Sequence, residues 1–297
     1  MANHAAAPAH SDNPRYFVPA PSAWPFMLTI ALVAIVYGFG AFLEERAIPT
    51  QPLIIGGFVL AISVIYLWFR GIARESEGGM YSAQVDRTYR WGMSWFIFSE
   101  VMFFAAFFGA LFYARELSLP WLAGIGAKES TNVFLWPGFE NVWPSNGPAA
   151  LGGSFKTIPA FDVPLVNTII LLTSGVTITM AHHALKEGKR TACILWMWAT
   201  VALGAGFLFF QAEEYIHAYT ELNLTLGSGI YGSTFFMLTG FHGMHVTLGT
   251  IMLAVITMRL MKGHFKPDSH FGFEGVAWYW HFVDVVWLGL FIVVYWL

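Results

Sequence analysis

Seven runs of apolar residues, separated by polar stretches, dominate the pattern of this chain. They cover Trp24–Leu43, Leu53–Phe69, Trp91–Tyr113, Val163–Ala184, Ala192–Phe210, Ile230–Met258 and Phe273–Trp296. A helix needs about 20 apolar residues to cross a bilayer, and the runs lie near that length. The second run is short. The sixth is long enough to tilt or to extend beyond the lipid. Runs of this kind predict helices rather than a barrel, because in lipid each backbone polar group must be satisfied within its own segment. The expected fold class is an all-α membrane protein with seven transmembrane helices.

The polar breaks predict the organisation. A turn at Glu44–Gln51 makes a tight helical hairpin of the first two spans. Ala114–Asp162 is the one long loop, rich in Gly, Pro and Trp, and reads as an ordered cap or a variable insertion. Residues 1–15 are Ala/Pro-rich and polar, which predicts a disordered tail without the apolar core of a secretory signal. The expected domains are this tail, a two-helix hairpin over 16–75, and a five-helix bundle over 76–297 carrying the long outer loop 114–162.

Composition sharpens the class. Hydrophobic residues make up 57% and charged residues 11%, against about 25% charged in soluble proteins. The single cysteine, Cys193, excludes an intrachain disulfide and a cysteine-based metal cluster. No phosphate-binding or dinucleotide fingerprint is present, and nothing points to nucleic acid. The distribution of Lys and Arg gives an orientation. With the N-terminus inside, the inner segments hold eleven of the fifteen and the outer segments four. That predicts a cytoplasmic N-terminus and, after seven spans, a periplasmic C-terminus.

Two carboxylates remain within the apolar runs, Glu100 in FIFSEVMFF and Asp284. Leu238, His242, His245 and Gly249 recur at helical spacing on one face, and His281 lies three residues before Asp284. His242, His245, His281 and Asp284 come out at overlapping depths. An ionised group at this depth is costly, and its usual reason is function. A proton relay, an ion path or a metal site fits. A satisfied polar network that packs helices through hydrogen bonds fits as well, and a neutral carboxylic acid bonded to histidine would serve it without net charge. His242 and His245 offer two imidazoles, whereas a closed metal site needs three or four ligands. His182 and His183 are adjacent and diverge by about 100°, a poor pair for one ion. Span four carries small and hydroxylic residues, among them Asn167, Ser174, Gly175 and Thr177, which predict a face against another helix in this chain or in a partner. Trp68 and Arg74 at the inner surface suit a phospholipid headgroup or simple anchoring.

These residues sit in recognisable blocks. RESEGGMYSAQVDRTYRWGMSWFIFSEVMFF, PLVNTIILLTSGVTITMAHHAL, QAEEY, GSTFFMLTGFHGMHVTLGT and FGFEGVAWYWHFVDVVWLGLFIVVYW resemble cytochrome c oxidase subunit III. They follow the family's order from Trp68 to Trp296, while the tail and the Ala114–Asp162 loop match poorly and favour a bacterial form. The first two spans, absent from the related quinol oxidase subunit, favour the cytochrome c branch. The resemblance implies a two-helix hairpin and a five-helix bundle separated by a V-shaped cleft filled with phospholipid. It implies no catalytic centre, no metal and no cofactor in this chain. Haem and copper belong to partner subunits: subunit I in direct contact, subunit II and others, with cytochrome c the substrate of the complex. By position, Glu100 resembles the family's intramembrane glutamate, and Trp68, Arg74, Phe96, Arg259 and His264 resemble lipid-cleft residues. The implied function is an accessory, non-redox subunit of a proton-pumping oxidase in a bacterial inner membrane, which binds lipid, stabilises subunit I and supports proton uptake. The rival reading is a stand-alone proton or ion transporter using Glu100.

Overall fold

The computed structural model describes residues 21–46 and 48–297. The expected tail, 1–15, lies outside them. Among the described residues nine α-helices follow one another: α1 (Trp24–Leu43), α2 (Thr50–Glu77), α3 (Ala83–Phe112), α4 (Leu119–Leu122), α5 (Glu129–Phe134), α6 (Val163–Lys186), α7 (Arg190–Thr220), α8 (Gly229–Met261) and α9 (Phe271–Leu290). A π-helical turn, Tyr113–Ser118, joins α3 to α4, and another, Phe291–Trp296, ends α9. Seven of the helical segments are long and apolar enough to cross a membrane.

The helices outrun the apolar runs that predict them. The second, expected to be short, is 28 residues long and carries Arg70 and Arg74 in its last turns. α7 continues through Glu213 and Glu214 to Thr220. A helix satisfies its own backbone whether lipid or water surrounds it, so polar side chains mark where the lipid ends, not where the helix ends.

The described residues divide into two compact units, the first ending at Trp91 and the second spanning Gly92–Leu297. In the first, α1 and α2 pack through reciprocal small residues. A Cβ on Gly38 would lie 2.7 Å from Ile54 Cγ1, and one on Gly57 would lie 2.7 Å from Ile35 Cγ1. Each glycine thus receives an isoleucine from the opposite helix, the close approach that drives helix association in lipid. Past α2, the Tyr81 hydroxyl donates to Glu75 Oε2 at 2.7 Å.

In the second unit α9 forms the centre. Trp280 and Trp287 are almost fully buried. Trp280 Nε1 donates to Ser174 Oγ and Trp287 Nε1 to Thr168 Oγ1, both at 2.9 Å. Ser174 in turn donates to the Leu171 carbonyl and Thr168 to the Pro164 carbonyl. Each α6 hydroxyl therefore serves its own backbone as donor and an indole as acceptor, leaving no polar atom of the pair unsatisfied. The Trp280 ring fills slots at glycines of two helices. A Cβ on Gly204 of α7 would meet it at 2.8 Å, and one on Gly249 of α8 also at 2.8 Å. Thr177 and Thr200 bond across α6 and α7 at 2.8 Å. The hydroxylic face of α6 is accordingly consumed largely inside the chain at Thr168, Ser174 and Thr177, while Thr173 and Thr179 stay exposed.

The long loop is an ordered cap. Asn146 Nδ2 donates to Gly153 O at 2.9 Å, and Asn223 Nδ2 to Gly152 O at 3.0 Å and Ser154 O at 2.9 Å. The rings of Trp143 and Phe155 pack on Tyr231 at the start of α8, each with centroids 5.4 Å away. These contacts tie the loop to the α7–α8 connection.

Candidate functional site

Glu100 sits mid-way along α3 and meets α8. Its Oε2 lies 2.9 Å from His245 Nε2. The other ring nitrogen, Nδ1, lies 2.7 Å from the Phe241 carbonyl one turn back. A carbonyl only accepts, so Nδ1 carries a hydrogen and donates. Nε2 is then either bare or the second N–H of an imidazolium. In both cases one proton occupies the contact with Glu100, as O–H···N or as O⁻···H–N⁺. The pair is closed by a single shared proton and has no net charge in either form.

Its surroundings are aromatic. Phe104 lies edge-on to the His245 ring at 5.0 Å, and Tyr279 stacks on it at 6.3 Å. Phe96 stacks in turn on Tyr279 at 6.2 Å. The His245 side chain is 6% exposed and that of Glu100 22%. The pair is thus covered on the histidine side and open on the carboxyl side.

The other intramembrane polar residues are separate from this pair. His242 is fully buried. Its Nε2 lies 3.2 Å from the Val283 carbonyl and so donates to it. Its Nδ1, left as acceptor, is buried without a hydrogen-bond partner. Phe207 and Trp287 flank the ring at 5.5 and 5.1 Å. His242 is a neutral pin between α8 and α9 rather than part of a relay. His281 Nδ1 is 3.8 Å from Asp284 Oδ2, too far for a hydrogen bond, and Asp284 Oδ1 is buried without a partner. These two line an open groove of about 340 Å³ between α6 and α9, with Gly175, Val176 and Leu288. A Cβ on Gly175 would lie 2.6 Å from Asp284 Oδ2, so the glycine makes room for the carboxylate. Depth alone grouped these residues, whereas the structure places them in three distinct settings.

The residues expected to meet lipid fall on both units. Trp68 and Arg74 lie on α2, Arg74 exposed and Trp68 partly so. Phe96 is 47% exposed. The Arg259 guanidinium lies 4.7 Å from the Phe265 ring centroid, and His264 follows just past α8, its backbone N–H donating to Arg259 O at 3.2 Å.

Two further constellations have no counterpart in the sequence reading. Glu214, only 3% exposed, accepts from the Tyr295 hydroxyl at 2.6 Å. The sequence reading placed Glu214 outside the span, because the apolar run ends at Phe210 and α7 does not. His182, His270 and Glu274 converge at the end of α6 and the start of α9. The i, i+4 spacing of His270 and Glu274 was the available signal, but their third member lies 88 residues away.

Taken together, the fold and its interior define a seven-span helical membrane protein whose helices are linked by buried polar contacts at Glu100–His245, His242–Val283 and Glu214–Tyr295. The family model of cytochrome c oxidase subunit III matches residues 14–129 and 136–297. The chain is 40% identical over 282 residues to cytochrome c oxidase subunit 3 of Oncorhynchus masou, of Gadus morhua and of Danio rerio, in each case over 95% of this chain and 96% of the relative. The chain belongs to the cytochrome c oxidase subunit III family. Within 114–162 that match passes over only residues 130–135. The loop is therefore mostly shared with the family and not the poorly matching part that the resemblance implied, and its bonded structure is the ordered cap of the two readings its composition left open.

Proposed function

We propose that this chain is an accessory, non-redox subunit of a proton-pumping cytochrome c oxidase, and that the Glu100–His245 pair is structural support on its lipid-facing flank. The observation that carries the reading is the closed geometry of this pair, with Glu100 Oε2 2.9 Å from His245 Nε2 and Nδ1 2.7 Å from the Phe241 carbonyl. A site built to pass protons onward needs a further acceptor, and Nδ1 of His245 is already committed to the Phe241 carbonyl. Haem and copper would lie in partner subunits I and II, and cytochrome c would be the substrate of the complex. The small and hydroxylic positions of α6 that the bundle does not use, such as the exposed Thr173 and Thr179, supply the kind of surface a transmembrane partner such as subunit I requires. The lysine and arginine bias supports an N-terminus on the cytoplasmic side and a C-terminus on the periplasmic side of a bacterial inner membrane.

Lipid binding is assigned to Trp68, Arg74, Phe96, Arg259 and His264. Arginine beside an interfacial tryptophan offers a phosphate a forked donor and its glycerol backbone an apolar platform. The test is phospholipid retention. Changing Trp68 and Arg74 together to alanine should lower the tightly held phospholipid per purified complex, measured by mass spectrometry, with subunit composition unchanged. Unaltered lipid content would refute the assignment.

A further inference from the structure

His182 is in the last turns of α6, His270 immediately precedes α9, and Glu274 is in its first turn. Their donor atoms form a nearly equilateral triangle. His182 Nε2 and His270 Nε2 are 3.2 Å apart. Glu274 Oε1 is 3.2 Å from His270 Nε2 and 3.5 Å from His182 Nε2. Bonds of about 2.0–2.1 Å to a tetrahedral zinc ion place neighbouring ligand atoms about 3.3 Å apart. The triangle is one face of such a tetrahedron.

Orientation agrees with this. His270 Nδ1 lies 3.1 Å from the Lys266 carbonyl and so donates to it. Lys266 is itself held by reciprocal backbone bonds to Ser269, at 3.2 and 3.1 Å. This leaves Nε2 as the lone-pair nitrogen, pointed at the cluster. A backbone carbonyl behind a ligating imidazole is the usual outer support of a metal site. The His270 side chain is 9% exposed, that of Glu274 13% and that of His182 27%. The face is therefore sheltered but reachable. Two imidazoles and one carboxylate select a borderline cation such as zinc over magnesium or calcium, which take oxygen ligands.

We propose that His182, His270 and Glu274 form a three-ligand site for a divalent zinc-type cation, with the fourth position open to water or to a group from outside the chain. The site is separate from the Glu100–His245 pair and does not depend on the oxidase reading.

The experiment uses the detergent-purified complex containing the full chain, stripped with chelator and dialysed against labelled Zn²⁺. The wild type should bind one more equivalent than His270→Asn or Glu274→Gln, or bind it about a hundredfold more tightly. Loss of an outer-sphere group alone costs about 10–100-fold. His183→Asn, at an adjacent exposed position, should bind like the wild type. X-ray absorption at the zinc edge of the wild type should show two imidazole nitrogens and an oxygen. If His270→Asn fails to assemble, that spectrum and His182→Asn decide. Equal binding by the wild type and the ligand variants, or zinc without imidazole neighbours, would overturn the proposal and leave a cluster that shares protons only.

Discussion

Replacing Gly249 by valine should unfold the five-helix unit or sharply weaken it. A Cβ at this position would sit 2.8 and 2.9 Å from Trp280 Cε3 and Cζ3. The ring cannot swing away, because its Nε1 is bonded to Ser174 on α6 and its far edge already fills the slot at Gly204 on α7. Relief would require moving α8 off α9, since close-packed interiors yield little. Overpacking of a filled core costs about 1–3 kcal/mol, and this site joins four helices, so the expected loss is at the upper end, about 3 kcal/mol. Gly206→Val is the matched control. It is two residues from Gly204, and a Cβ there meets nothing within 4 Å. Thermal unfolding of the purified complex in detergent should show a large drop in midpoint for Gly249→Val and little change for Gly206→Val. Equal midpoints would refute the central role given to Trp280.

The second large effect separates two substitutions at Glu100. Glu100→Gln keeps a donor: its amide N–H can be given to His245 Nε2, with Nδ1 still donating to Phe241 O. Assembly and turnover should stay close to normal. Glu100→Leu leaves a bare, buried Nε2 without a partner, which costs about 1–3 kcal/mol and should lower the yield of assembled complex. His245→Leu should resemble it, removing the partner of the part-buried Glu100 carboxyl group. The double variant Glu100→Leu with His245→Leu should recover part of the loss, because removing both partners of a buried pair is cheaper than removing one. If Glu100→Gln abolished proton pumping in a fully assembled complex, the supportive role of the pair would be wrong.

The comparison of these two sites shows what was legible in the sequence. The spans were, because a bilayer imposes a length and a hydropathy on each one. Their ends were not. Arg70, Arg74, Glu213 and Glu214 are polar and helical at once, so the apolar run closes before the helix does. Depth was legible too, through the rise per residue, and it placed His242, His245, His281 and Asp284 at overlapping levels and Glu100 near the middle of its span. Azimuth between helices was not. His242 and His245 share a face of α8, yet one reaches the Val283 carbonyl and the other Glu100. A difference of about 60° around the helix axis separates them, and a single sequence does not specify how α3 and α9 are turned toward that face. The same limit hid the Trp280–Ser174 and Trp287–Thr168 bonds, although the polar face of α6 announced that some partner existed. The loop was left open between two readings for another reason. Gly- and Pro-rich composition suits an insertion as well as a cap; the bonds from Asn146 and Asn223 show the cap, and the family match over most of 114–162 argues against an insertion.

The central claim is that this chain works as part of an oxidase and not alone. The most direct test is gentle extraction of the tagged chain from its native membrane, followed by a reduced-minus-oxidised absorption spectrum and a subunit analysis of the purified material. The account predicts haem absorption that travels with the chain, together with a subunit I partner in equal amount. A homogeneous, haem-free chain without partner subunits would contradict it.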